Sequence, residues 1–99
     1  MSQDKLALFE RLLPVLIDLY HETAGLSQGD GELQLWYNRG YADGMVSTMR
    51  RLDFAARLDG LELPAPLAID DAEAFLPWGK AYRHGFEMGE GETREALAD

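Results

Sequence analysis

An eight-residue pattern occurs twice in the chain, as Tyr37-Asn38-Arg39-Gly40-Tyr41-Ala42-Asp43-Gly44 and as Tyr82-Arg83-His84-Gly85-Phe86-Glu87-Met88-Gly89. Each copy reads Tyr, one residue, a base, Gly, an aromatic, two residues, Gly, and each lies in a segment whose apolar spacing is helical. A glycine inside a helix costs about 0.5 to 1 kcal/mol relative to alanine, so four at matched places call for a compensating contact. Glycines four apart clear one helix face, which lets a second backbone approach while neighbouring aromatics wall the contact. Two uses follow. One is a tight helix crossing inside the fold or a dimer. The other is a shallow groove for a small molecule or peptide, lined by Tyr37, Gly40, Tyr41, Gly44, Trp78, Tyr82, Gly85, Phe86 and Gly89. Alanine at Gly44 or Gly85 separates them: an open face gains helix propensity, whereas a face carrying another backbone is overpacked.

The rest of the chain reads as one all-α domain over residues 1–99, a small bundle of three main helices, with residues 90–99 either a solvated, frayed acidic tail or a final helical turn. The breaks are AGLSQGDG near residues 24–31 and DGLELPAPLAID near 59–70. Pro64 and Pro66 remove ladder donors from the second, which makes it a packed extended linker rather than a strand. The first helix, from about Asp4 to Ala24, places Leu6, Phe9, Leu13, Leu16, Ile17 and Tyr20 on one face. Pro14 falls on the polar side and predicts a kink toward solvent. The second helix is expected to run unbroken from about Glu32 to Leu58. Its polar stripe is Arg39, Val46, Arg50, Asp53 and Arg57, with Arg39–Asp43 and Asp53–Arg57 at the spacing of solvated pairs. Arg51 falls in the apolar face and must reach water or an acid from elsewhere. Asp70 and Asp71 are candidate caps for the third segment, which Pro77 divides into a short first turn and a main helix.

Eighteen acids against nine bases give a net charge of −9, and residues 60–99 alone carry −6. Phosphate binding needs local cation density, so no direct nucleic-acid partner is expected. No apolar run reaches the length of a bilayer span and the N-terminus lacks a signal-peptide core, so a cytoplasmic protein without a membrane partner is expected. The stretch Arg39-Gly40-Tyr41-Ala42-Asp43-Gly44 resembles a short piece of the ribosome modulation factor family, whose helices carry similar Arg-Gly-Tyr and spaced-glycine elements. The likeness spans six of ninety-nine residues. That family is basic, as ribosomal RNA binding requires, and its function is not carried over to this acidic chain.

Catalytic constellations are not legible. There is no cysteine, and His21 and His84 are the only histidines, each three residues from a carboxylate on a polar face (Asp18 and Glu87). Helix-borne metal sites need further inward-facing carboxylates or histidines, which the apolar faces lack. No metal, cofactor or enzymatic activity is therefore expected. The apolar arcs of the first two helices exceed what a three-helix monomer buries, so the surplus at Leu8, Leu12, Val15, Leu19, Trp36 and Phe54 points to another chain, most simply a homodimer. The expected function is a regulatory or adaptor protein acting by protein–protein contact, for example as an inhibitor of a transcription factor or larger enzyme. Trp36, Arg39, Arg50 and Arg57 are its candidate partner-binding residues. The competing readings are a binding module using the aromatic and glycine-lined groove, and an acidic DNA mimic.

Overall fold

The computed structural model describes residues 3–26 and 32–97. Within these the chain is all-α: α1 (Gln3–Glu22), α2 (Leu33–Met49), a short α3 (Ala55–Asp59) and α4 (Pro77–Leu97). Pro14 sits inside the continuous α1 with its side chain exposed, where water can satisfy the carbonyl it frees. Residues 27–31 of the first glycine-rich break lie outside the described residues.

The architecture is built on α2 and α4. A Cβ placed on Gly40 would meet the Tyr82 carbonyl at 2.0 Å, and one on Gly44 would meet the Phe86 carbonyl at 2.2 Å. Reciprocally, a Cβ on Gly85 would meet the Tyr37 carbonyl at 2.0 Å, and one on Gly89 the Tyr41 carbonyl at 2.2 Å. Each copy of the octet therefore packs on the other, glycine against tyrosine or phenylalanine carbonyl, in a pseudo-twofold arrangement. Because the register advances along both helices together, α2 and α4 run parallel. The likeness also continues past the octet, Thr48 matching Thr93 and Leu52 matching Leu97; both threonines and Leu97 are buried.

Parallel helices cannot be joined by a tight turn. The chain must return along the length of α2, about 25 Å for its seventeen residues. Residues 60–72 make that return as the extended linker that Pro64 and Pro66 favour, with Leu61, Leu63, Leu67 and Ile69 half-buried between exposed neighbours. The hydrophobic core lies between α1, α2, the segment after α2 and the end of α4: Phe9, Leu16, Met45, Met49, Phe54, Leu58 and Leu97 are buried together. Phe9 and Phe54 stack with ring centres 4.2 Å apart and planes 2° from parallel.

Two expectations are corrected. The helix from Glu32 to Leu58 is not continuous: Leu52 (φ −99°, ψ 27°) and Asp53 (φ 72°, ψ 21°) leave helical geometry. Asp tolerates the left-handed region better than most residues, and the break removes the register that the Asp53–Arg57 pair assumed. It leaves Phe54 and Leu58 buried and Arg51 exposed, with the guanidinium 3.3 Å from Glu90. Second, Trp36 and Phe54, counted as surplus apolar surface, are buried by the chain's own α1 and α4. Residues 90–97 take the helical alternative to a tail, because α4 runs to a buried Leu97.

Candidate functional site

The most elaborate side-chain arrangement lies where the linker crosses α2. Asp43, wholly buried, accepts two hydrogen bonds on each carboxylate oxygen. Tyr20 Oη (2.8 Å) and Arg39 Nε (3.2 Å) donate to Oδ1, while Tyr82 Oη (2.5 Å) and the Leu67 backbone N–H (3.2 Å) donate to Oδ2. Arg39, 8% exposed, also donates through Nη2 to the Ala65 carbonyl at 2.9 Å and lies 5.2 Å from the Tyr20 ring centre. One carboxylate thus ties together α1, α2, the linker and α4. Pro64 and Pro66 have no N–H to offer, so the strap is held through the residues that follow each of them, at the Ala65 carbonyl and the Leu67 N–H.

Arg39 and Asp43 were expected on a solvated stripe. Their spacing does place them on one face, but that face lies beneath Tyr20 and the linker, so the pair is a buried one. Such a pair persists only when its remaining donors and acceptors are satisfied. Here they are: no buried side-chain nitrogen or oxygen among the described residues lacks a partner. Burial, reinforced by the Asp43 carboxylate, pushes the Tyr20 and Tyr82 hydroxyls well above the usual phenol range. With both Asp43 oxygens occupied and the residue closed to solvent, the cluster positions helices and leaves no oxygen facing a substrate.

The glycine and aromatic residues are brought together, but as a helix crossing: the backbone of each helix occupies the face that the other's glycines clear. Around that seam the rings of Trp36 and Trp78 lie 4.7 Å apart, His84 stands edge-on to Tyr37 at 5.4 Å, and Tyr41 donates to Glu92. Burial and the Glu92 carboxylate raise the Tyr41 hydroxyl above its ordinary value as well. Beside the seam, an open groove of about 380 Å³ lies between the linker and α4, lined by Leu67, Ile69, Tyr82 and Phe86 with Arg83, Glu87 and Glu90.

The four expected partner-binding residues do not form one patch. Trp36 is buried against Trp78, and Arg39 is committed to Asp43 and Ala65. Arg50 and Arg57 remain exposed, Arg50 donating to Asp59 at 2.8 Å. Among the described residues, no three histidines or carboxylates converge as metal ligands and no helix is long and apolar enough to cross a membrane.

A different surface stands out instead. Phe75 is 77% exposed, Leu76 46% and Leu33 53%. The parallel pairing puts all three at the same end of the α2–α4 pair, because Leu33 lies one turn before Trp36 and Leu76 two residues before Trp78. Phe75 lies outside α4 although its spacing to Trp78 and Tyr82 is that of one helical face. The signal that could have moved it outside was Pro77, which starts α4 and leaves Phe75 in the preceding Glu73–Phe75 turn. No family model matches the chain, and no curated protein or solved structure is significantly similar to it.

Proposed function

We propose that this protein is a non-enzymatic adaptor or regulator that works by binding another protein, masking a surface of a larger enzyme, transcription factor or assembly. The observation that supports this reading is the exposed Phe75, accompanied by Leu76 and Leu33, at one end of a molecule in which, among the described residues, the buried polar side-chain atoms are satisfied internally. Aromatic side chains are enriched at interface cores, where their large rigid area is covered at small entropic cost. Co-purification from native cells tests the reading. The parent chain should retain a partner that Phe75→Ser, folded and equally stable, loses; retention by both variants would put the contact elsewhere.

Self-association belongs to the same proposal. Val15 is 48% exposed on α1, and Leu8, Leu12 and Leu19 beside it are only half-buried, the face a second copy would cover. Sedimentation across micromolar concentrations should give a dimer that Val15→Glu dissociates. A monomer at every concentration would remove the homodimer while leaving the adaptor role standing.

A further inference from the structure

The turn that carries Phe75 is held more firmly than an exposed loop requires. Asp70 and Glu73 form a reciprocal capping box: the Glu73 N–H donates to Asp70 Oδ1 at 2.7 Å, and the Asp70 N–H to Glu73 Oε1 at 3.2 Å. Backbone bonds from Ala74 to Asp70 (3.0 Å), Phe75 to Ala72 (3.2 Å) and Leu76 to Glu73 (3.0 Å) close the turn on itself. Pro77 then fixes the entry to α4. Gly79 lets the turn lie directly on the helix, since a Cβ there would come within 2.0 Å of the Glu73 carbonyl. These four devices fix the backbone on both sides of an aromatic ring that the fold itself leaves in water.

The surroundings are acidic. Glu32, Asp70 and Asp71 are exposed and Glu73 is half-buried near this end, with Lys80 and Arg83 the nearby bases; Arg83 lies 3.9 Å from Asp71. An apolar anchor with an acidic rim is complementary to an apolar pocket with a basic rim. A second copy of this chain would bring the same acids against themselves, which like-charge repulsion opposes. Preorganisation adds to affinity because ordering the anchor costs little on binding.

We propose that the Asp70–Leu76 turn is a preorganised recognition element that seats Phe75 and Leu76 in an apolar pocket ringed by lysine and arginine on a partner protein. This rests on the adaptor reading and specifies both its contact point and its partner's chemistry. The test is a benzophenone photo-crosslinking amino acid placed in the full chain at position 75, and separately at position 15, irradiated in native cells. The expected result is an adduct from position 75 to one other protein, with the crosslinked peptide apolar and flanked by Lys or Arg. Adding Asp71→Lys should lower the yield by about threefold or more, because it reverses one charge of the acidic rim. Adducts from position 15 to another protein, with none from 75, would overturn this inference and leave the adaptor reading intact, whereas adducts from 15 to a second copy alone would overturn it and report only the homodimer. No adduct from either position would overturn this inference, and co-purification of the parent chain without any partner would remove the adaptor reading as well. An adduct from 75 to a second copy, or to a peptide without basic residues, would refute the partner chemistry.

Discussion

Alanine at Gly85 is the sharpest test of the reciprocal crossing. The new Cβ would lie 2.0 Å from the Tyr37 carbonyl oxygen, whereas ordinary contacts begin at 3.4 Å, so the helices must part locally by about 1.4 Å. The obstructing atom is backbone, which cannot rotate away as a side chain would. Parting there also loosens Gly40 from Tyr82, because the two contacts belong to one rigid pair. Overpacking costs about 1 to 3 kcal/mol, and a backbone obstacle places this case at the upper end. Helix propensity returns up to about 1 kcal/mol, leaving a net loss of about 2 kcal/mol. For a domain of this size that lowers Tm by roughly 8 to 16 °C. Far-UV circular dichroism during heating, supported by urea titration, measures it. Gly91→Ala is the internal control: it lies in the same helix, nothing stands within 4 Å of its Cβ position, and it should stabilise by about 0.5 to 1 kcal/mol. Gly40→Ala should cost as much as Gly85→Ala, because the geometry is reciprocal. If Gly85→Ala melts at or above the parent, the close crossing is wrong.

Asp43→Asn keeps the shape but turns an acceptor of four bonds into a group with one acceptor oxygen and leaves Arg39 buried without its counter-charge, so a loss of about 3 kcal/mol or more is expected in urea unfolding. Tyr20 and Tyr82 have raised hydroxyl pKa values in the folded state, through burial first and Asp43 second, so their contribution to stability is complete below about pH 10 and falls as pH rises above it. Ultraviolet titration should show both ionising only as the helices are lost; reversible ionisation near pH 10 with the fold intact would contradict their burial. Phe75→Ser should change stability by no more than about 0.5 kcal/mol, since its ring is mostly in water, and calorimetry checks that any lost binding is not lost folding. Chelators should leave Tm unchanged, and a stoichiometric metal in elemental analysis together with chelator-induced unfolding would overturn the expectation of a metal-free fold.

Periodicity and punctuation sufficed for α1, α4 and the body of α2, though not for the break at Leu52 and Asp53. The apolar spacing of α1, the exposed place of Pro14, the Pro64–Pro66 connector, the Asp70 cap and the start of α4 at Pro77 are local properties, written in neighbouring residues and so legible in the sequence. The repeated octet likewise marked which faces carry close contacts. What it could not specify was the occupant. A cleared glycine face suits a ligand or a backbone equally, and only the parallel docking of α2 on α4 puts the Tyr37, Tyr41, Tyr82 and Phe86 carbonyls there.

The same ambiguity governed the charges. Arg39 and Asp43 at i, i+4 satisfy each other on an open surface or in a core, and their spacing carries no information about what lies above them. Tyr20, twenty-three residues earlier, and the linker residues Ala65 and Leu67 decided it by closing over the pair. Trp36 and Phe54 became core rather than interface for a related reason: the break at Asp53 and the long return of the linker let one chain cover both. Local sequence determined which elements form and which faces they offer. Only tertiary structure, by choosing what each face meets across long separations, decided which polar groups are buried and that Phe75 is left outside.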